Sequence, residues 1–535
     1  MASYKVEILP RPRDRVYIKF PNNQEYRIED ATTIKLNEEP KEIIIRRERT
    51  WRRIFTSWRC MYVTITSLDS ETELYFPVFK DIGSAGLAIK ENSAKLPQND
   101  SSDERKESLQ NNLSFQVRHR QFSGDFGTFA ASGRKLMTSE MCFGFRAKKQ
   151  NGGIYVVDYG ILDDKVEGIL KEAPHFVAAP IVLLQQTEEE LKPIAIQLNQ
   201  KPGEDNPVFT PQDKPEAWLL AKIWVRNSDF YYHELVSHLL RAHLMAEIFF
   251  IASYSMADQH PLSRILRATG RYTIPINITA RNTLINEGGF FMKYTAIGEK
   301  HLDVLMKATE KITYESLCLP DIVMHHGIEN LENFHYRDDG MAIWDAIYEF
   351  VHGVVNGCYK DDQDIQKDPE LQKMVKFIYK YGFQQNSGPS SLKTRDETIK
   401  YITMIMFTCS AQHAAVNHGQ YDIYAWMPNG PATMRQPTPK DKEVTEKDIM
   451  DTLPDITTTL ATMKLICLLS HVPNDFVPLG EYPEEVAYES HMRDPLMEFK
   501  STLKGIGEKI RKRSACQEFP YEYLHPEGME NSVTI

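Results

Sequence analysis

The sequence has no closely spaced cysteine pair. Its seven cysteines, at 60, 142, 318, 358, 409, 467 and 516, contain no CxxC and match no zinc-site spacing. An odd, dispersed set points to free thiols in a reducing compartment. Runs of 18 or more apolar residues are also missing, so no membrane-spanning helix is expected, although contact with a membrane surface stays open. The first residues, Met-Ala-Ser-Tyr-Lys-Val-Glu, hold no apolar signal core, and a cytoplasmic location is expected. Positive charge is in deficit, with 63 Lys and Arg against 74 Asp and Glu and a net charge of -11, which argues against a nucleic-acid partner. No GxSxG elbow, P-loop or Rossmann fingerprint occurs, so the usual hydrolase, kinase and dehydrogenase readings lose their anchors. Internal repeats are absent too.

What remains is the pattern of a large soluble globular chain. At 535 residues it exceeds one small domain and can bury a large core. Residues 4–8, 15–20, 42–46, 61–66 and 73–79 are short β-branched and aromatic runs punctuated by Asn and Asp, the spacing of a β-sandwich. The strongly basic run 46–59 interleaves Trp51 and Trp58. Its plain reading is a solvated edge with two packing tryptophans; the functional reading is a surface for anionic headgroups. Residues 88–105 are polar and linker-like, and 122–153 are Gly-rich without periodicity. Strands are expected at 153–158, 179–185 and 193–197. After Asp213 the apolar period becomes helical around 216–226, 232–251, 341–360, 369–381, 394–409, 457–470 and 495–512, so the larger domain is mainly α.

Within the second of these, His233, His238 and His243 recur every five residues in a stretch without Gly or Pro. Positions five apart on an ordinary α-helix sit roughly 140° from each other. The histidines share a face only if the helix is widened by a π-type turn, a feature common at functional sites. Any one of them could be a core histidine satisfied by hydrogen bonds; three in one buried segment need partners, and a metal is one. A zinc-protease reading of His233-Glu234 fails, because HExxH needs its second histidine four residues from the first. A second polar cluster lies at 410–422, where His413 and Asn417 are four apart and project from one helix face. His and an amide oxygen suit a first-row metal, while the plain reading is a satisfied core His beside an unrelated Asn.

Here the residues resemble the animal lipoxygenases. The likeness runs through Trp-Leu-Leu-Ala-Lys-Ile-Trp-Val-Arg-Asn-Ser-Asp-Phe at 218–230, the triple-histidine helix, His-Pro at 260–261 and Arg-Tyr-Thr at 271–273. It continues in Tyr-Arg-Asp-Asp-Gly at 336–340, Gln-His-Ala-Ala-Val-Asn at 412–417 and Thr-Leu-Pro at 452–454. It closes in Pro-Tyr-Glu-Tyr-Leu-His-Pro at 520–526 and Asn-Ser-Val-Thr-Ile at 531–535. Among subfamilies, Pro-Ile-Ala-Ile-Gln-Leu-Asn-Gln at 193–200 and the run 410–420 look most like the arachidonate 5-lipoxygenases. The N-terminal strands resemble a shortened PLAT β-sandwich.

The resemblance implies an N-terminal β-sandwich (1–84), a linker with a connecting helix (85–118), and a large mainly α-helical iron-binding catalytic domain (119–535). It implies one non-heme iron held by His238, His243, His413, Asn417 and the terminal carboxylate of Ile535, with His233 not a ligand. It also admits calcium at the PLAT-like domain. The catalytic group is then an iron-bound hydroxide rather than a side chain. It removes a hydrogen from a bis-allylic carbon of a polyunsaturated fatty acid, and O2 adds on the opposite face. Phe230, Leu239, Leu244, Ile276, Ala280 and Leu284 match substrate-lining positions, each also readable as plain core. Ala280 matches a position where Ala accompanies S stereochemistry. Glu234 and Gln420 match a polar pair behind the ligands. The sequence departs from the family at 119–152, where the helices that usually build part of the cavity wall are not recognisable, and at Thr279, where relatives often carry a cation. Three readings follow: a fatty-acid dioxygenase, a catalytically weak lipid- or iron-binding relative, or a hydroperoxide isomerase.

Overall fold

The computed structural model describes the strands and their flanks within residues 2–90, the pair 148–149, and residues 153–535 apart from 164–166, 171–172, 188–190, 474, 484–485, 488 and 518–519. Trp51 and Trp58, nearly all of the 88–105 run and all but two residues of the departing stretch 119–152 lie outside the described residues. The chain packs as two compact units. One is Met1–Asn112 with Met256–Ile265 and Pro483–Asp494; the other is Leu113–Ser255, Leu266–Tyr482 and Pro495–Ile535.

Among the described residues of the first unit, eight antiparallel strands form two sheets. The strands are β1 (Ala2–Leu9), β2 (Arg15–Lys19), β3 (Glu25–Ile28), β4 (Thr32–Leu36), β5 (Glu42–Glu48), β6 (Arg59–Ser67), β7 (Glu73–Asp81) and β8 (Leu87–Lys90). Their orders are β4-β1-β6-β7 and β3-β2-β5-β8. Side chains alternate faces along a strand, so every second residue turns inward. Tyr4, Val6, Ile34, Leu36, Val63 and Ile65 of one sheet meet Val16, Ile18, Ile28, Ile43 and Ile45 of the other in a single buried cluster. This is the expected sandwich. All five expected strands are present. β3 and β4 escaped the sequence reading because they are short and interrupt their apolar positions with Glu, Arg, Thr and Lys. β8 occupies the start of the stretch read as linker.

The second unit opens with a five-stranded antiparallel sheet that includes Ile154–Asp158, Ile181–Gln186 and Leu191–Gln197. Helices follow from Pro215, where a proline in the first turn suits the orphan N–H groups of a helix start. Pro215–Ser253 is one continuous helical run of 39 residues. It contains an 18-residue window apolar enough to cross a membrane, but 89% of that window is buried inside the fold, as expected of a core helix. His301–Thr309, Thr273–Ala280 and His413–Asn417 pack around its middle, and Pro369–Tyr381 packs against its last turns.

Candidate metal centre

The middle of that run, Tyr232–Leu244, is a π-helix of 13 residues. Its i→i+5 bonding brings positions five apart onto nearly the same face, which answers the spacing problem posed by the sequence. The ring centroids of His238 and His243 are 4.7 Å apart. A second π segment, Thr408–Gln412, directly precedes His413 and turns it toward the same point. The His413 ring lies 5.5 Å from that of His238 and 4.9 Å from that of His243. Three Nε2 atoms converge: His243 to His238 at 3.1 Å and His243 to His413 at 3.2 Å.

All three rings are buried. Desolvation, with a smaller contribution from the His418 imidazole, holds His238 down to about 3; desolvation and then the His238 imidazole hold His243 down to about 3. Burial and the neighbouring imidazoles put His413 well below its ordinary value. Neutral imidazoles therefore turn Nε2 toward one point.

The donor set fits a metal. Two nitrogens at about 2.1 Å from one ion stand roughly 3.0 Å apart at right angles and roughly 3.4 Å apart at the tetrahedral angle. The observed separations of 3.1 and 3.2 Å fall between these values. Three histidines with oxygen donors beside them suit a first-row divalent ion better than a hard, oxygen-loving one.

Two oxygen-bearing residues, Asn417 and Ile535, lie beside His413. The backbone oxygen of Ile535 lies 3.1 Å from His413 Nε2, and His413, Asn417 and Ile535 line one small hollow with room for about 10 Å³. Asn417 Oδ1 accepts from Gln420 Nε2 at 2.7 Å, while Asn417 Nδ2 and Gln420 Oε1 are buried without a hydrogen bond. Turning both amides about their last torsions keeps the contact with Asn417 as donor. It also leaves the Asn417 oxygen, instead of an orphan N–H group, available to an ion. Gln420 thus serves Asn417. Glu234, its partner in the family pattern, stands 3.5 Å from His238 Nδ1, and burial pushes its carboxyl above the usual range. Each of the two supports a different donor.

His233 has another task. Its Nε2 donates to the Val416 carbonyl at 2.7 Å, and its Nδ1 accepts from the Tyr424 hydroxyl at 2.8 Å. Both nitrogens are used, so the ring cannot also face a metal. It ties the π-helix to the segment that carries His413 and Asn417. Replacing His233 by phenylalanine leaves the Val416 carbonyl and the Tyr424 hydroxyl without this partner. The expected loss is about 1–3 kcal/mol of stability with bound metal retained, checked by thermal unfolding and metal content.

The six candidate lining residues lie on two stretches, 230–244 and 276–284. Phe230 is fully buried with its ring edge-on to Tyr231 and Tyr424. Leu239 is buried, and Leu244 lines a cavity of about 30 Å³ with Leu240, Met245 and Ile248. Ile276, Ala280 and Leu284 are half-buried at four-residue intervals along 273–285. Two groups went unnoticed in the sequence. Arg271 pairs with Glu530 at 2.5 Å and fastens the C-terminal tail, and Asn277 meets His243 Nδ1 at 2.9 Å. Arg271 had stood only as part of the Arg-Tyr-Thr motif at 271–273, and the signal for Asn277 was a polar residue inside an apolar stretch.

Comparison with known proteins agrees with this geometry. The lipoxygenase family profile matches residues 155–521. The mouse polyunsaturated fatty acid lipoxygenase ALOX8 is 43% identical over 398 residues, 73% of this chain and 59% of that protein. The human enzyme ALOX15B is 41% identical over the same shares, and the mouse hydroperoxide isomerase ALOXE3 is 43% identical over 72% of this chain and 55% of its own length. The chain thus spans under two thirds of the length of these relatives. The crystal structure of coral 8R-lipoxygenase superposes with a TM-score of 0.84 at 23% identity, covering 100% of both chains. The chain belongs to the lipoxygenase family. These relatives are of the 8, 15B and E3 types, so the expected likeness to 5-lipoxygenase in particular is not what they carry.

Proposed function

We propose that the protein is a non-heme iron dioxygenase that inserts O2 into polyunsaturated fatty acids of the arachidonate and linoleate type. The observation that carries this is the buried trio of neutral imidazoles in which His243 Nε2 lies 3.1 Å from His238 Nε2 and 3.2 Å from His413 Nε2, in a chain of the lipoxygenase family. His238, His243 and His413 hold the iron through Nε2, with the Asn417 oxygen and the Ile535 carboxylate completing the set. When bound, the iron supplies the one-electron oxidation that takes a hydrogen from a bis-allylic carbon. The protein's share is to exclude water and fix which carbon faces the metal. Phe230, Leu239, Leu244, Ile276, Ala280 and Leu284 are the proposed apolar wall. A cytoplasmic enzyme touching membranes through its sandwich unit, with calcium there, extends the same resemblance. Kinship with the 5-lipoxygenases rests on the runs 193–200 and 410–420.

A second reading, hydroperoxide isomerase, is favoured by the 43% identity to a relative of that name. Purified, iron-loaded protein given linoleate and arachidonate separates the two. Oxygen uptake with rising conjugated-diene absorbance supports the dioxygenase; inert fatty acid with consumed hydroperoxide supports the isomerase. Stoichiometric iron with neither reaction leaves a lipid- or iron-binding relative and rejects both. With Ala280 in place, chiral chromatography is expected to show mainly S hydroperoxide, and mainly R product would remove Ala280 from the stereochemical role.

A further inference from the structure

We infer that Asn277 is a positioning residue for His243, and that Glu247 and Arg281 hold Asn277 in the one orientation that serves a metal. The inference rests on the reading of the three histidines as metal ligands. Asn277 lies on Thr273–Ala280 and is 1% exposed. Its amide is engaged on both sides. Nδ2 donates to the His243 carbonyl at 2.9 Å and to Glu247 Oε2 at 2.7 Å, while Oδ1 stands 2.9 Å from His243 Nδ1.

The hydrogen-bond directions leave one assignment. A backbone carbonyl and a carboxylate oxygen only accept, so the amide atom facing them carries hydrogen. The atom facing His243 Nδ1 is then the amide oxygen, which can only accept. His243 Nδ1 must therefore be the protonated nitrogen, and Nε2 keeps a lone pair. That lone pair faces Nε2 of His238 at 3.1 Å and of His413 at 3.2 Å. Reversing the Asn277 amide would set its oxygen against two acceptors. It would also drive the His243 proton onto Nε2, into the space a metal needs.

Glu247 makes the reversal costly. It is 2% exposed on Met245–Ser253, and its Oε2 takes the Asn277 donor together with Arg281 Nη2 at 2.6 Å. A buried carboxylate is retained only when paired and hydrogen-bonded, and Arg281 supplies the opposite charge. The network thus runs from an ion pair, through one amide, to the ring that faces the metal site. Outer partners of this kind fix tautomer and ring orientation. A network that merely clasped two helices would leave both tautomer and metal release unchanged.

The test uses the full-length chain loaded with ferrous iron, with release measured against a competing chelator. Asn277→Ala and the bulkier, apolar Asn277→Leu are expected to release iron on the order of 10–100 times faster than wild type. Thr279→Ala, exposed on the same helix, should match wild type. Release from both Asn277 variants within twofold of wild type would overturn the inference. A histidine-selective 15N spectrum of the wild-type, metal-free chain needs no variant at position 277 to fold. His243, assigned by its loss in His243→Gln, should show a protonated Nδ1 and a bare Nε2; the opposite tautomer would also overturn the inference. A wild-type chain that binds no iron would instead reject the metal reading itself.

Discussion

Adding one glycine after Ile535 is expected to strip the protein of iron and of activity together. The tail is locked in register. Asn531 N–H donates to the Val477 carbonyl at 3.0 Å, and Leu479 N–H donates to the Met529 carbonyl at 2.8 Å. The Thr273 hydroxyl donates to the Val533 carbonyl at 3.3 Å, and the Thr534 hydroxyl donates to the Glu530 carboxylate, which Arg271 also holds. Ser532 and Val533 have no exposed surface. The end of the tail therefore arrives at one depth, with the Ile535 oxygen 3.1 Å from His413 Nε2. One further residue replaces a terminal carboxylate by a neutral amide and removes the charge that a cation prefers. It must also enter a hollow of about 10 Å³, room for about one water at most. The loss in metal affinity should exceed the roughly 10–100-fold that outer partners cost. Iron per chain and oxygen uptake measure it. Ile535→Val, which keeps the carboxylate, should retain both. An extended chain that held its iron and turned over would remove Ile535 from the ligand set.

Replacing His413 by leucine is expected to abolish iron binding while leaving the metal-free fold at least as stable. Three buried neutral imidazoles, with His243 Nε2 at 3.1 Å from His238 Nε2 and 3.2 Å from His413 Nε2, have lost water while turning ring nitrogens toward one another. An apolar side chain of similar size relieves that desolvation, so the metal-free chain should gain up to about 1 kcal/mol. Iron content should fall to background, and activity should fall well beyond the roughly 10–100-fold expected of an outer partner. The contrast with His233 separates the two roles. Loss of His233 should weaken the fold and spare the metal, whereas loss of His413 should spare the fold and remove the metal. If His413→Leu bound iron normally, the convergent trio would be a packing feature only.

Much of this was legible locally. Short β-branched and aromatic runs marked five of the sandwich strands, and the 3.6-residue period marked the long helices, because each pattern lies within one element. The five-residue spacing of His238 and His243 required a π-type turn, since an α-helix cannot bring such positions together, and the helix is π from Tyr232 to Leu244. The i, i+4 pair His413 and Asn417 was visible for the same local reason. The subtype was not: runs 193–200 and 410–420 pointed to 5-lipoxygenases, while the relatives at 41–43% identity are of other types. Short matching stretches report shared ancestry more readily than cavity shape.

Taken alone, the sequence determined five of the sandwich strands and the long helices, that histidines five apart share a face only on a widened helix, and which family the motifs resemble. Tertiary structure decided which histidine is a strut, how Gln420 and Glu234 divide their support between Asn417 and His238, and how Asn277 faces His243. It also decided the clasp on the tail, whose partners Arg271 and Glu530 stand 259 residues apart. No periodicity links such positions. Hydrogen-bond direction and burial fix each polar group's role only when distant segments meet, so these assignments belong to the packed chain.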